Sequence, residues 1–172
     1  MVGRMRLRRD GIHLRLTGHA YAPAPKTLSF MTSSEERVFV ARMMMLAETT
    51  GFVEGFCGRR GIARDDGLRL TLVVEELFTN TVRHGHGGDT KSPVRIALSN
   101  DDDAVELFYE DTAPAYDPLS RLSDPMPLSS QSIESRQVGG LGVYLVGQLV
   151  HAARYAYEDG KNRLWITLRR TR

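Results

Sequence analysis

Apolar positions along the chain follow two different periods. From Ser33 to Ala47 they recur as a broad face, Val38, Val40, Met43, Met44, Leu46 and Ala47, which predicts a helix. Ser33 would cap it, and Glu36 would reach back to the capping residue's amide. GFVEGFCGRRGIARDDG, Gly51 to Gly67, is rich in glycine and predicts the loose end of that helix plus a turn. A second helix starts at Asp65 or Asp66 and runs through LRLTLVVEELFTNTVRHG, and Gly85, Gly87 and Gly88 mark its end with a left-handed cap and a mobile loop.

After Pro93 the period falls to two. VRIAL, the turn NDDD and AVELFYE predict an antiparallel hairpin, and RYAYE, DGKN and RLWITLRR a second one. Between the hairpins, Pro118 to Val138 is rich in serine and proline, which predicts a long lid-like loop, and GGLGVYLVGQLV predicts a glycine-led helix. KTLSFM, Lys26 to Met31, reads as a short strand opening the domain proper, so residues 1–25 form a basic, irregular lead-in and 26–172 the domain. No internal repeat is present. The expected fold class is α+β: a two-layer α/β sandwich, mostly antiparallel sheet with helices on one face.

At 172 residues with a net charge of +2, the chain fits one globular domain, and the charge is too small to identify a polyanionic partner. Arginines crowd both ends (Arg4, Arg6, Arg8, Arg9, Arg15; Arg163, Arg169, Arg170, Arg172). No recognition helix or metal-finger spacing accompanies them, so they read as solvated residues and no direct nucleic-acid contact is expected. The single cysteine, Cys57, excludes an internal disulfide and points to a reducing compartment. VFVARMMMLA is short and broken by Arg42, far from the ~20 apolar residues of a membrane span. The amino terminus has no secretory-signal pattern, and the expectation is a cytoplasmic protein without a membrane partner. Met43 to Met45 suggest either adaptable core packing or a partner surface.

The candidate chemistry lies in VVEELFTNTVRHGHGG, Val73 to Gly88. On a helix, Leu70, Val73, Val74 and Leu77 make the buried stripe, and Glu76 and Asn80 share its edge one turn apart. Glu75 points well away and reads as solvated or salt-bridged. A carboxylate beside an amide oxygen suits a hard cation held partly through water and phosphate, though the same pair also arises on ordinary solvated helix flanks. His84 and His86 read as structural, the first interacting with the helix carboxyl terminus and the second in solvent. Two further elements follow in order. In YEDTAPAYDP, Asp111 ends a strand and could accept a hydrogen bond from an exocyclic amine. In RQVGGLGVYLV, three glycines open a helix whose free backbone amides favour phosphate.

EELFTNTVRHG, EDTAPAYDP and GGLGVYLV, in that order and spacing, resemble the N, first-glycine and second-glycine boxes of the GHKL superfamily, whose Bergerat ATP-binding fold is shared by gyrase, heat-shock chaperones, histidine kinases and mismatch-repair proteins. The short chain, the proline turn ending in DP and the GGLG helix are most similar to bacterial anti-sigma factor serine/threonine kinases, and the resemblance covers about Lys26 to Arg170. It implies that Glu76 orients or deprotonates the accepting hydroxyl, that Asn80 coordinates Mg²⁺, and that Asp111 receives the adenine amino group of ATP. Ala113 belongs to the same adenine box. The resemblance further implies that Gly139, Gly140, Leu141 and Gly142 wrap the phosphates and that Pro118 to Val138 act as the lid. The implied partners are an anti-anti-sigma (STAS-type) protein, phosphorylated on Ser or Thr, and a sequestered sigma factor, with a homodimer suggested. Phosphoryl transfer needs chiefly alignment and charge neutralisation, which such a residue set can supply.

One departure stands out. Ala113 and Ala115 occupy positions where the family commonly has glycine, and a methyl group there is expected to narrow both the backbone angles and the adenine pocket. Arg136 could reach a phosphate, but its register matches no family arginine. Two alternatives accompany the kinase: a catalytically weak ATP-binding, partner-switching module, and an ATP domain acting on another signalling partner. The ATP domain of a two-component histidine kinase ranks lower, because no dimerising helical hairpin with a phosphoacceptor histidine precedes the boxes.

Overall fold

The computed structural model describes residues 13–15, 34–118 and 149–171. Among them the order is β1 (His13–Arg15), β2 (Glu35–Val40), a 3-10 turn (Met43–Met45), α1 (Leu46–Arg59), α2 (Arg64–Asn80), a π turn (Thr81–Gly85), β3 (Pro93–Asn100), β4 (Ala104–Asp111), β5 (Ala152–Glu158) and β6 (Lys161–Arg169). The strands form one sheet in the order β1-β5-β6-β4-β3-β2, with every neighbouring pair antiparallel. Both helices lie on one face, so the α+β sandwich expected from the pattern is what forms. The core is the seam between Val94, Ile96, Leu107, Ile166 and Leu168 on the sheet and Val53, Phe56, Leu70, Val73, Val74 and Phe78 on the helices.

Both hairpins form as their period and turn residues predict. In the β3–β4 turn, Asp101 Oδ1 accepts from the amides of Asp103 (2.9 Å) and Ala104 (2.8 Å). The β5–β6 turn places Asp159 and Gly160 at φ 54° and 73°, the left-handed pair of a two-residue hairpin loop, which Asp and Gly tolerate best. Gly87, at φ 72°, takes the left-handed conformation expected after the second helix, whereas Gly85 belongs to the π turn and has no positive φ.

The first helix is a correction. Glu35–Val40 is the edge strand β2, paired with β3, and not a capped helix. Its alternation is that of a strand: Phe39 is 2 % exposed, while Val38 and Val40 are 56 % and 37 % exposed. Glu36 bonds across the sheet to Arg95 (2.6 Å) and plays no part in a cap. Helical backbone begins only at the 3-10 turn, where the Met43 amide donates to Asp89 Oδ1 at 2.8 Å, a cap brought from 46 residues away.

The stretch expected to be loose is the body of α1. Thr49, Val53, Phe56 and Cys57 recur at helical spacing and are buried against the core, which overrides the roughly 1 kcal/mol that each interior glycine costs a helix. The second helix starts at Arg64, and Asp66 serves it differently from a cap. Its buried carboxylate accepts from Arg69 Nη1 (3.0 Å), the Thr171 amide (2.8 Å) and Thr171 Oγ1 (3.1 Å), which ties the helix to the end of the chain. The carboxy-terminal arginines are likewise engaged, contrary to the expectation of simple solvation. Arg163 pairs with Glu110 and Glu158, each at 2.8 Å, and Arg170 donates to the carbonyls of Asp101 and Gly61. KTLSFM, residues 119–148 and Arg172 lie outside the described residues. No helix among the described residues is long and apolar enough to cross a membrane.

Gly51 lies inside α1, and a Cβ built there meets no atom within 4 Å. Gly51→Ala should therefore stabilise the protein by about 0.5–1 kcal/mol. A urea titration would show this as a higher midpoint at unchanged slope; an unchanged midpoint would mean that α1 is not held as helix around Gly51.

Candidate functional site

A cavity of 370 Å³ opens where the end of α2, the end of β4 and strands β5 and β6 converge, lined by Asn80, Thr81, Asp111, Tyr116, Tyr155 and Asn162 among others. That volume is in the range of small-ligand sites. Its floor is polar and buried. Asp111, 6 % exposed at the last position of β4, accepts three hydrogen bonds. Its Oδ1 receives the Ala113 amide (2.9 Å) and Asn162 Nδ2 (2.8 Å), and its Oδ2 receives the Thr81 hydroxyl (2.8 Å). A carboxylate offers about four lone-pair sites. Among the described residues one acceptor position therefore remains, on Oδ2, where only Thr81 is engaged.

Asn162, facing Asp111 in the β4–β6 register, organises the other wall. Its amide nitrogen also meets the carbonyls of Ala113 (3.0 Å) and Pro114 (3.3 Å), and its oxygen accepts from the Tyr155 hydroxyl (2.7 Å) and the Tyr116 amide (3.1 Å). The loop after β4 is thus held to the same residue that holds Asp111. Burial, followed by the nearby Asp117 carboxylate, pushes Tyr155 up to about 12. Burial also drives Tyr109 well above the ordinary tyrosine value, reinforced by the charge of Asp111 and only partly offset by its bond to Thr81. Both phenols are consequently hydroxyl groups throughout the neutral range.

The positions singled out by sequence separate into three groups. Asn80 and Asp111 line the cavity together with Ala113. Glu76 stands one turn before Asn80 on α2, half-buried, in no ion pair among the described residues and outside the cavity lining. Gly139, Gly140, Leu141, Gly142, Arg136 and all of the expected lid after Pro118 lie outside the described residues. Two side expectations change, those for Glu75 and His86, while His84 stands in the last turn of the helical segment as expected. Glu75 is half-buried rather than solvated and forms no ion pair among the described residues. His84 is exposed at the cavity rim, whereas His86, expected in solvent, has a buried Nε2 without a hydrogen-bond partner among the described residues. Among the described residues no group of three or more His, Cys, Asp or Glu is placed to hold a metal, so a cation here would depend on Asn80 together with ligand and water oxygens.

Ala113 does not strain the backbone as its departure from glycine suggested. Asp159 is the one non-glycine residue with positive φ among those described, so neither Ala113 nor Ala115 needs glycine's freedom. The Ala113 methyl instead fills space that Gly85 leaves open: a Cβ built on Gly85 would stand 2.8 Å from it. Thr81, Tyr109, Tyr155 and Asn162 were missed by the sequence reading. Thr81 lies within the quoted helix motif, but nothing in its local context shows that its hydroxyl leaves the helix for a strand 30 residues away.

Residues 39–168 match the family described as histidine kinase-like ATPase domain. The chain is 33% identical over 98 residues to the serine/threonine-protein kinase BtrW of Bordetella bronchiseptica, covering 57% of this chain and 67% of that protein. It is 27% identical over 109 residues to the serine-protein kinase RsbW of Bacillus velezensis, covering 63% and 68%. Among solved structures, the crystal structure of the RsbU and RsbW domains of Rv1364c from Mycobacterium tuberculosis superposes with a TM-score of 0.57 at 17% identity, over 82% of this chain and 33% of that one. At that identity the likeness concerns the fold.

The contact between Gly85 and Ala113 predicts a compensating pair. Gly85→Ala alone overpacks the junction and should cost about 1–3 kcal/mol in a urea titration. Adding Ala113→Gly should recover most of that loss, whereas simple additivity of the two changes would show that the methyl groups do not meet.

Proposed function

The chain belongs to the histidine kinase-like ATPase domain family, and from that premise we propose that it is a cytoplasmic, Mg-ATP-dependent serine/threonine-protein kinase of the anti-sigma type. It phosphorylates a Ser or Thr of a STAS-type anti-anti-sigma partner and sequesters a sigma factor. The observation that carries the reading is Asp111: a buried carboxylate with three fixed donors and one acceptor position left among the described residues, at a cavity of nucleotide-binding size. Such a group rewards a ligand that presents an N–H, as the exocyclic amine of adenine does, and repels one that presents a carbonyl oxygen there.

The remaining roles follow from position and resemblance. Asn80, at the cavity wall, supplies an amide oxygen to Mg²⁺, which when bound neutralises charge on the phosphates and on the transition state. Gly139, Gly140, Leu141 and Gly142 offer backbone amides to the phosphates. Glu76, one turn from Asn80, takes up the proton of the partner's hydroxyl as its oxygen bonds to the γ-phosphorus. The bond from that phosphorus to the bridging oxygen breaks, and ADP leaves with the electron pair. Glu76 stands outside the cavity lining, as suits a group that meets a protein substrate arriving from outside. The same placement favours a second reading, in which nucleotide and partners bind but transfer is slow.

Incubation with labelled ATP, Mg²⁺ and a STAS-type anti-anti-sigma protein from the same organism separates the two. The expected result is label on a Ser or Thr of the partner, reduced about 10²–10⁴-fold by Glu76→Ala with ATP binding retained. Labelling that survives Glu76→Ala unchanged would remove Glu76 from its role. ATP binding without labelling would establish the binding module.

A further inference from the structure

Thr81 sits at the carboxyl end of α2, where a threonine hydroxyl ordinarily bonds back to the carbonyl one turn earlier. Here it does not. Its Oγ1 lies 2.8 Å from Asp111 Oδ2 and also 2.8 Å from the Tyr109 hydroxyl, and all three residues are buried. A threonine hydroxyl has one proton, and beside a carboxylate that proton points at the carboxylate oxygen. The bond to Tyr109 must then run the other way, with the phenol donating to Thr81. The result is a directed chain, Tyr109 O–H to Thr81 Oγ1 and Thr81 O–H to Asp111 Oδ2.

We propose that Tyr109 and Thr81 form a two-hydroxyl relay that positions Asp111 as the purine-reading acceptor and so sets the preference of the site for adenine over guanine. The inference rests on the nucleotide reading above. Oδ1 is occupied by two donors from the loop and from β6, whereas Oδ2, the oxygen with a free acceptor position among the described residues, is fixed among them by the relay alone. Tyr109 holds the Thr81 hydroxyl in the one rotamer that serves Asp111. Without the phenol, that hydroxyl is free to turn to the preceding helical carbonyl, and Oδ2 loses its only donor among the described residues. Tyr109 and Asp111 lie on one face of β4, two residues apart, with Thr81 opposite at the start of the π turn that follows α2, so the relay runs across the seam between helix and sheet. These are positioning residues: neither needs to touch the nucleotide.

Titration calorimetry of the full chain with ADP and with GDP, each with Mg²⁺, tests the relay in Tyr109→Phe, Thr81→Val, Thr81→Ser and the double variant Tyr109→Phe/Thr81→Val. Each single removal of a hydroxyl should weaken ADP binding by about tenfold while leaving GDP nearly unchanged, narrowing the ratio by the same factor. Thr81→Ser keeps the hydroxyl and should retain the wild-type ratio. The double variant should be no worse than Thr81→Val, since both changes interrupt one path. Tyr109→Phe and Thr81→Val break the chain from opposite ends, so either one that melts cooperatively is sufficient. An unchanged ratio in both, or an equal loss for ADP and GDP, overturns the relay while the nucleotide reading stands. Wild-type protein that binds neither nucleotide overturns both.

Discussion

A carboxylate taken out of water must be given donors by the protein, or its burial costs several kcal/mol. Asp111 imposes that requirement here, and much of the surrounding architecture meets it. The helix must end so that Thr81 faces β4, the loop must turn back so that the Ala113 amide reaches Oδ1, and β6 must lie in register to bring Asn162 opposite. Each donor comes from a different element, so the site exists only when the helix layer, the sheet and the loop are assembled together. In return, the one acceptor position left open among the described residues is held in a fixed place, which is the form of preorganisation that discrimination between ligands requires.

The same assembly explains why the altered glycine box is tolerated. Glycine at a loop position usually signals either a left-handed backbone or a close approach. The first does not apply at Ala113 and Ala115, neither of which has a positive φ, and the methyl of Ala113 is accommodated because Gly85 at the end of the π turn has no side chain. The close approach is still made, with the glycine on the opposite partner. A substitution that looks like damage when one motif is read alone becomes a redistribution when two motifs are seen in contact.

The legibility of the sequence varied with how local each signal was. The buried stripe of α2 and both hairpins depend on near neighbours along the chain, and their periods and turn residues were sufficient. The edge strand β2 and the start of α1 were misread, because the deciding partners are remote. Arg95, opposite Val38 in the register, reaches diagonally to Glu36, and Asp89 caps Met43. Local propensity was also outvoted in α1, where burial of Val53, Phe56 and Cys57 keeps a glycine-rich stretch helical.

At the site, the motifs alone brought Asn80 and Asp111 to attention, because a helix edge and a strand end are local features with recognisable chemistry. The sequence could not show that Thr81, Tyr109 and Asn162 converge on Asp111, since the three come from a helix and two strands separated by up to 81 positions (162 minus 81). Side-chain hydrogen bonds between distant elements leave no periodicity behind. The sequence therefore determined the layers, the hairpins and the carboxylate, Asp111, that lines the cavity. Only the tertiary structure decided what holds that carboxylate in place, because its donors become neighbours only when the helix packs on the sheet.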